Sequence, residues 1–209
     1  MCACLPTVRQ ARALVGSEYK IMTGKTDTAR RIVLAEGKRV YLRRPVAHDA
    51  ARFCSLMQAS RRFHGSWVQP PLTALEFAGY LTRSRDPDSA GLLICRSEDH
   101  DIVGVFNFSY IVRGALQSGF LGYYAPAEHA ACGYMRDGMQ LVLRFAFRML
   151  KLHRIEANIQ PDNARSRTLA QGAGFRLEGL SPRYIKLAGR WRDHERWALL
   201  AEEWKPASA

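Results

Sequence analysis

Long apolar runs are missing from this 209-residue sequence. No stretch of about 18 apolar residues occurs, so no membrane-spanning helix is expected. The start, MCACLPTVRQARALVG, lacks a long apolar core followed by a cleavage site. Secretion and organelle import are therefore not expected, and the expected compartment is the cytoplasm. Cysteine is scarce and unpatterned: five residues, at 2, 4, 54, 95 and 132. Only Cys2 and Cys4 are close, and no histidine follows at zinc-like spacing. Reduced thiols are expected, with Cys2 and Cys4 as the pair open to oxidation. The histidines at 48, 64, 100, 129 and 153 form no metal-ligand pattern, so no metal is expected. No Walker-type loop, no Ser-His-Asp order and no internal repeat is present.

Negative charge is also in short supply. Nineteen acidic residues face 31 lysines and arginines, for a formal net charge of +12. Such a balance attracts anionic partners: nucleic acid, a membrane surface or a phosphorylated ligand. No block of five consecutive cations occurs, so the charge reads either as a basic surface or as help toward an anionic ligand or a ribosome. The length suits one well-cored domain, or one domain and a tail.

What is present is regular patterning after a weakly periodic start. Residues 1–38 are expected to form a flexible extension, and 39–206 the folded domain. Two short β-like runs flank Glu36-Gly37-Lys38. Ala50, Phe53, Leu56 and Met57 then recur at helical spacing. A second helix follows in TALEFAGYLTRSR, with Leu75, Ala78, Gly79 and Leu81–Thr82 on or beside its buried stripe. The runs 91–96, 102–113 and 117–125 are rich in β-branched and aromatic residues, and predict a three-strand antiparallel meander. An amphipathic helix over about 135–151 places Met135, Met139, Val142, Leu143, Ala146 and Leu150 on one stripe. A strand at 153–160, a short helix that Gly174 can end, and two strands joined at Ala188-Gly189-Arg190 complete an α/β chain with a mixed sheet.

Between the third strand of the meander and the long helix stands HAACGYMRDGM. Small residues before a helix let a phosphate approach unpaired N–H groups and the positive end of the helix dipole. The same residues can also form an ordinary tight turn.

The order of elements resembles the GCN5-related N-acetyltransferase (GNAT) superfamily. The segments IVGVFNFSYIVRG…FLGYYAP, HRIEANIQPDNARSRTLAQGAGFRLEG and GRWRDHERWAL are similar to its ribosomal-protein-alanine N-acetyltransferase branch, the RimJ/RimL type. The resemblance covers residues 40–204. It implies a central, mostly antiparallel sheet flanked by helices and split by a V-shaped gap. That gap would hold acetyl-CoA between the strands 117–124 and 154–160. It also implies transfer of acetyl to the α-amine of a protein N-terminus, plausibly alanine on a ribosomal protein, by direct attack in a ternary complex. Within enzymes, the other reading is a small amine such as an aminoglycoside or polyamine. Outside them, it is a non-catalytic ribosome- or RNA-binding scaffold.

By the same resemblance, the cofactor is bound by the strand Leu121, Gly122 and Tyr123, with N–H groups offered over Phe120–Tyr123. The pyrophosphate falls to Ala131, Cys132, Gly133, Tyr134, Met135 and Arg136. Asn163 and Ser166 contact the pantetheine arm; both also suit helix N-capping. The family's usual Gln/Arg-x-x-Gly-x-Gly/Ala is here Ala130-Ala131-Cys132-Gly133-Tyr134-Met135, so only Gly133 is kept. Arg136 or Arg165 can compensate for the lost polar residue. A positive φ at Ala131 would add strain of about 1 kcal/mol.

Three residues are expected to carry chemistry. Tyr184 stands where many GNAT enzymes place the tyrosine that protonates the departing thiolate. Glu156 is the base expected in mid-strand, alternatively a sheet residue paired with an arginine. Ser166 has a sometimes-invoked acyl-transfer role. His194 in WRDH could accept a proton, or could be a structural histidine beside Asp193.

Overall fold

The computed structural model describes residues 32–206. Cys2, Cys4 and most of the expected extension lie outside them. Eight strands form one sheet in the order β1-β2-β3-β4-β5-β6-β8-β7. The strands are β1 (Val33–Glu36), β2 (Val40–Arg43), β3 (Ala90–Arg96), β4 (Ile102–Val112), β5 (Ser118–Tyr124), β6 (Arg154–Ile159), β7 (Arg176–Leu187) and β8 (Arg190–Leu200). All neighbours are antiparallel except β5 and β6. The expected meander is β3–β4–β5, and the mixed sheet matches the expectation. The boundary expected at 38/39 falls inside a hairpin. β1 pairs with β2 around Gly37, so residues 33–36 belong to the sheet rather than to an extension.

Helices cover both faces. On one face lie α1 (Ala50–Ala59), α2 (Arg61–His64) and α3 (Ala74–Arg83). Phe53, Leu56, Met57, Phe77 and Tyr80 bury there against Leu93, Cys95 and Val105. α1 takes the expected stripe. α3 does not: its buried residues are Phe77, Tyr80 and Leu81, while Leu75 is exposed. The Thr73–Glu76 capping box starts this helix at Ala74 and leaves Leu75 in the first turn, facing water. A buried ion pair braces this side, with Arg43 bidentate to Asp49 at 2.7 and 2.8 Å.

On the other face lie α4 (Tyr134–Arg144) and α5 (Ala164–Gly172). Met139, Val142 and Ala170 pack there with Ile155, Ala157, Ile159, Trp197 and Leu199. Gly138 lets α4 approach closely; a Cβ there would stand 2.7 Å from Ile94 Cγ1. The helix expected to run to 151 ends at Arg144 and widens into a π-helical turn over Phe145–Met149. Phe145, Ala146 and Phe147 of this turn are all buried, continuing the run Leu141–Leu143 that α4 already buries. Gly174, at φ +94°, follows α5 as expected.

Candidate functional site

β5 and β6 run parallel, but only their first halves pair: Ser118 with Arg154, Gly119 with Ile155, Phe120 with Glu156. Beyond Phe120 the strands separate, leaving a V that opens toward their C-terminal ends. A cavity of about 810 Å³ passes through this V. One end lies at the loop before α4. The other reaches Phe63, His64, Trp67 and Val68, which follow α1 on the opposite sheet face. The volume falls within the range of cofactor and ligand sites.

The loop end is built from backbone. Ala131 and Gly133 both have positive φ, +61° and +82°. Arg136 and Asp137 return their N–H groups to the Gly133 carbonyl at 3.1 and 3.2 Å. Among the described residues nothing accepts from the N–H groups of Ala131 through Met135, and no side chain caps α4. Successive unpaired donors at a helix start suit an anion. Arg39 fixes the loop from outside: Nε donates to Asp137 Oδ2 at 2.8 Å and Nη1 to the Cys132 carbonyl at 3.3 Å.

Across the V, Asn163 caps α5 by accepting from the Ser166 N–H at 3.2 Å. Ser166 Oγ donates to Tyr123 Oη at 2.9 Å, and Tyr123 Oη donates to the Ser166 carbonyl at 2.9 Å. Burial pushes the Tyr123 phenol up to about 12, against a smaller lowering by Ser166. On the far side His64 is buried, with Nε2 against the Ala125 carbonyl at 2.9 Å, and burial lowers its basicity.

Residues 39–176 match the acetyltransferase (GNAT) domain family. The chain belongs to the GNAT acetyltransferases. It is 30% identical over 177 residues to "Probable N-acetyltransferase YjcK" of Bacillus subtilis, covering 80% of this chain and 97% of that one. It is 37% identical over 109 residues to the ribosomal protein uS5-alanine N-acetyltransferase of Escherichia coli, 52% of this chain and 56% of that one. A spermidine N(1)-acetyltransferase of Vibrio cholerae is 24% identical over 73% of this chain and 88% of its own length. Among solved structures, Mycobacterium smegmatis RimJ in complex with CoA-disulfide superposes with a TM-score of 0.72, at 29% identity, over 81% of this chain and 85% of that one.

As a GNAT N-acetyltransferase the chain uses acetyl-CoA as cosubstrate. The unpaired loop donors and the adjoining Arg136 fit its pyrophosphate. Of the cofactor residues expected from sequence, Leu121, Gly122 and Tyr123 line the cavity from β5. Ala131, Gly133, Met135 and Arg136 line it from the loop and α4, and Asn163 and Ser166 from the start of α5. Cys132 and Tyr134 do not. Cys132 is exposed, and Tyr134 is half-buried against the core and His129, beneath Arg39 and Arg96, with guanidinium carbons 5.3 and 5.9 Å from its ring centroid.

Two expected catalytic residues also stand elsewhere. Tyr184 is exposed on β7, outside the cavity lining, with its ring edge toward His194 at 6.4 Å. Glu156 accepts from Arg154 Nε at 2.8 Å, and Arg154 also holds Glu178. That places Glu156 in an ion-pair network at the paired base of the V, not in its opening. The alternative reading of Glu156, a sheet residue paired with an arginine, is the arrangement observed.

The sequence reading missed His64, Trp67, Asn107 and Gln140 as cavity residues. A tryptophan stranded in the Gly- and Pro-bearing stretch HGSWVQPP was the one signal available for that wall. Asn158 and Gln160, which share Glu156's strand face, do line the cavity. A cluster of Asp101, Glu128 and His129 sits beside the loop and is occupied by Arg52, which donates to both carboxylates.

Proposed function

We propose that this acetyltransferase modifies the α-amine of a protein N-terminus, with a ribosomal protein beginning in alanine as the best-fitting acceptor and the cytoplasm as the setting. What carries the reading is the charge of the cavity wall. Its lining contains Arg136 and Arg165 but no aspartate or glutamate. A polyamine brings two or more positive charges, and a wall without carboxylates gives them no partner while adding repulsion. The amine of a chain N-terminus brings a single ammonium, and it loses that charge more readily than a lysine does. Its pKa near 7.7–8.0 leaves roughly a tenth neutral at pH 7, whereas a lysine amine near 10.4 is almost wholly charged. The apolar side chains Phe63, Trp67 and Val68 suit a small, uncharged first residue. The relative named for uS5 alanine supports the same acceptor class.

Acetyl-CoA supplies an activated thioester carbonyl. The chain supplies position: α4 and its loop hold the anionic end, and β5 offers strand N–H groups where the gap has left them without a β6 partner. The test is an acetylation assay, followed by mass spectrometry, on peptides with varied first residues. N-terminally blocked peptides carrying an internal lysine, and spermidine, run beside them. Free Ala- and Ser-initiated peptides should be acetylated at the α-amine. Acetylation of spermidine in preference to every free peptide would overturn the assignment.

A further inference from the structure

His194 lies on β8, buried, in the cavity wall. Strand alternation fixes which end of the cavity it serves. On β8, Trp197 and Leu199 face the core beneath α4 and α5. His194 and Arg196 therefore face the other way, and Arg196 is registered with Asn158 on β6. This is the sheet face that carries His64 and Trp67, across the V from the phosphate loop.

Its hydrogen bond fixes the tautomer. Nδ1 stands 3.0 Å from the Arg192 carbonyl oxygen. A carbonyl only accepts, so Nδ1 carries the proton and the neutral ring keeps its lone pair on Nε2. Among the described residues Nε2 has no hydrogen-bond partner, and it is not one of the polar atoms sealed from solvent. The other two imidazoles of the wall differ. His64 has Nε2 on the Ala125 carbonyl and Nδ1 sealed within the protein. His129 holds Asp101 at 3.0 Å and adjoins the phosphate loop.

We propose that His194 Nε2 accepts the proton that the acceptor nitrogen sheds as it becomes an amide. The proposal rests on the amine-acetylation reading above. The amine nitrogen forms the new C–N bond with its lone pair at the thioester carbonyl carbon. The C–S bond breaks, and its electron pair leaves on sulfur. The surplus proton on nitrogen moves to Nε2, and the imidazolium passes it to the thiolate, so amine and thioester give amide and thiol. In the same cavity wall stand the uncharged Asn158 of β6 and Gln160 just past its end, while β7 brings Ser181 into register with His194 and the Tyr184 ring to 6.4 Å from it. β8 itself contributes Asp193 beside it, and Arg192 and Arg196 on its own face. Burial lowers the basicity of His194, and Asp193 offsets part of that. The ring is thus neutral at pH 7 and ready to accept.

The test compares wild type with His194→Asn and His194→Gln, using an Ala-initiated peptide, over pH 5 to 9. Asparagine can keep the donation to the Arg192 carbonyl, and glutamine places an amide near Nε2; neither accepts a proton. Both variants should lose about a hundredfold or more in kcat/KM at pH 7 while holding CoA within about twofold by calorimetry. The wild-type kcat/KM should fall about one decade per pH unit below the amine pKa, and about two below that of His194. The variants should keep the single-decade slope throughout. Retention of wild-type rate and of the steeper limb overturns the proposal. Melting curves show which variant is folded, and either one suffices. The acceptor class is judged on wild type alone: if it acetylates spermidine and no peptide, the α-amine reading falls, and the His194 comparison is read on spermidine.

Discussion

Tyr123 and Ser166 exchange hydrogen bonds across the open end of the V, each at 2.9 Å. The exchange joins β5 to the first turn of α5, in the region where β5 has no β6 partner. The phenol, pushed up to about 12, stays protonated at every working pH and so keeps donating to the Ser166 carbonyl. Tyr123→Phe removes both bonds and should cost about 1–2 kcal/mol. For a chain of this size that is a melting temperature lower by roughly 2–8 °C. Weakened CoA binding should accompany it, measured by calorimetry. Ser166→Ala removes only the hydroxyl donor and should lose less of both. Equal, negligible effects would show that the clasp does not hold the gap.

The phosphate loop predicts two opposite substitutions. Ala131 sits at φ +61°, a conformation that costs a residue with a Cβ about 1 kcal/mol. Glycine adopts this φ freely, so Ala131→Gly should raise the melting temperature by about 2–4 °C and leave the CoA Kd within about twofold. Gly133 at φ +82° allows no such freedom, since a Cβ would stand 3.0 Å from Arg39 Nη2. Gly133→Ala should lower both stability and CoA affinity, through the backbone and through Arg39's hold on Asp137.

Most of the frame was legible because it rests on local periodicity and punctuation. The meander, the Gly174 cap, the 188–190 turn and the loop before α4 are all written in short windows. The failures come from contacts that no window contains. Leu75 lies in an apolar pattern, yet the capping box sets the phase of α3 and turns it outward. Phe145–Met149 continue an amphipathic helical pattern in sequence, yet the chain widens there into a π turn. Of the cavity, the loop end is contiguous in sequence, and four of the residues from Ala131 to Arg136 line it: Ala131, Gly133, Met135 and Arg136. The acceptor end joins His64 and Trp67 to His194 from distant segments. Only the folded sheet brings these together.

Two residues expected at the chemistry should accordingly be dispensable. Tyr184 is exposed, lies outside the cavity lining and meets His194 through its ring edge, centroids 6.4 Å apart, a contact that phenylalanine keeps, so Tyr184→Phe should keep kcat within about twofold of wild type. Glu156 is held by Arg154 at the closed base of the V. Glu156→Gln should alter stability slightly and leave the pH–rate profile in place. A large fall in kcat for either variant, with CoA binding intact, would restore the role expected from sequence.

Stability in acid should report on the contacts beside the loop. Arg52 next to Asp101, donating from Nε at 2.8 Å, and then His129, hold its carboxyl down to about 2. The unfolded value is near 3.9. With the folded value depressed, the stabilisation is complete above about pH 4 and is lost as the pH falls toward 2. Asp101→Asn should lower the melting temperature at pH 6 and flatten its decline between pH 4 and 2. An unchanged slope would mean that this carboxylate contributes nothing to acid sensitivity.

The last prediction separates the two ways the loop can hold a phosphate. Backbone donors act at contact distance, and added salt weakens them little. A cation in water acts through a field that salt screens, over about 8 Å at 0.15 M and about 3 Å at 1 M. Arg136, exposed in the first turn of α4 and part of the cavity wall, is the cation nearest the unpaired N–H groups in sequence. Between 0.05 and 0.5 M salt, the CoA Kd of wild type should therefore rise several-fold. Arg136→Ala should bind about fivefold more weakly at low salt, equivalent to about 1 kcal/mol, and show a shallower salt dependence. At high salt the two should converge, because what remains is the backbone cradle. A variant parallel to wild type at every salt concentration would assign the whole of phosphate recognition to the loop N–H groups and none of it to Arg136.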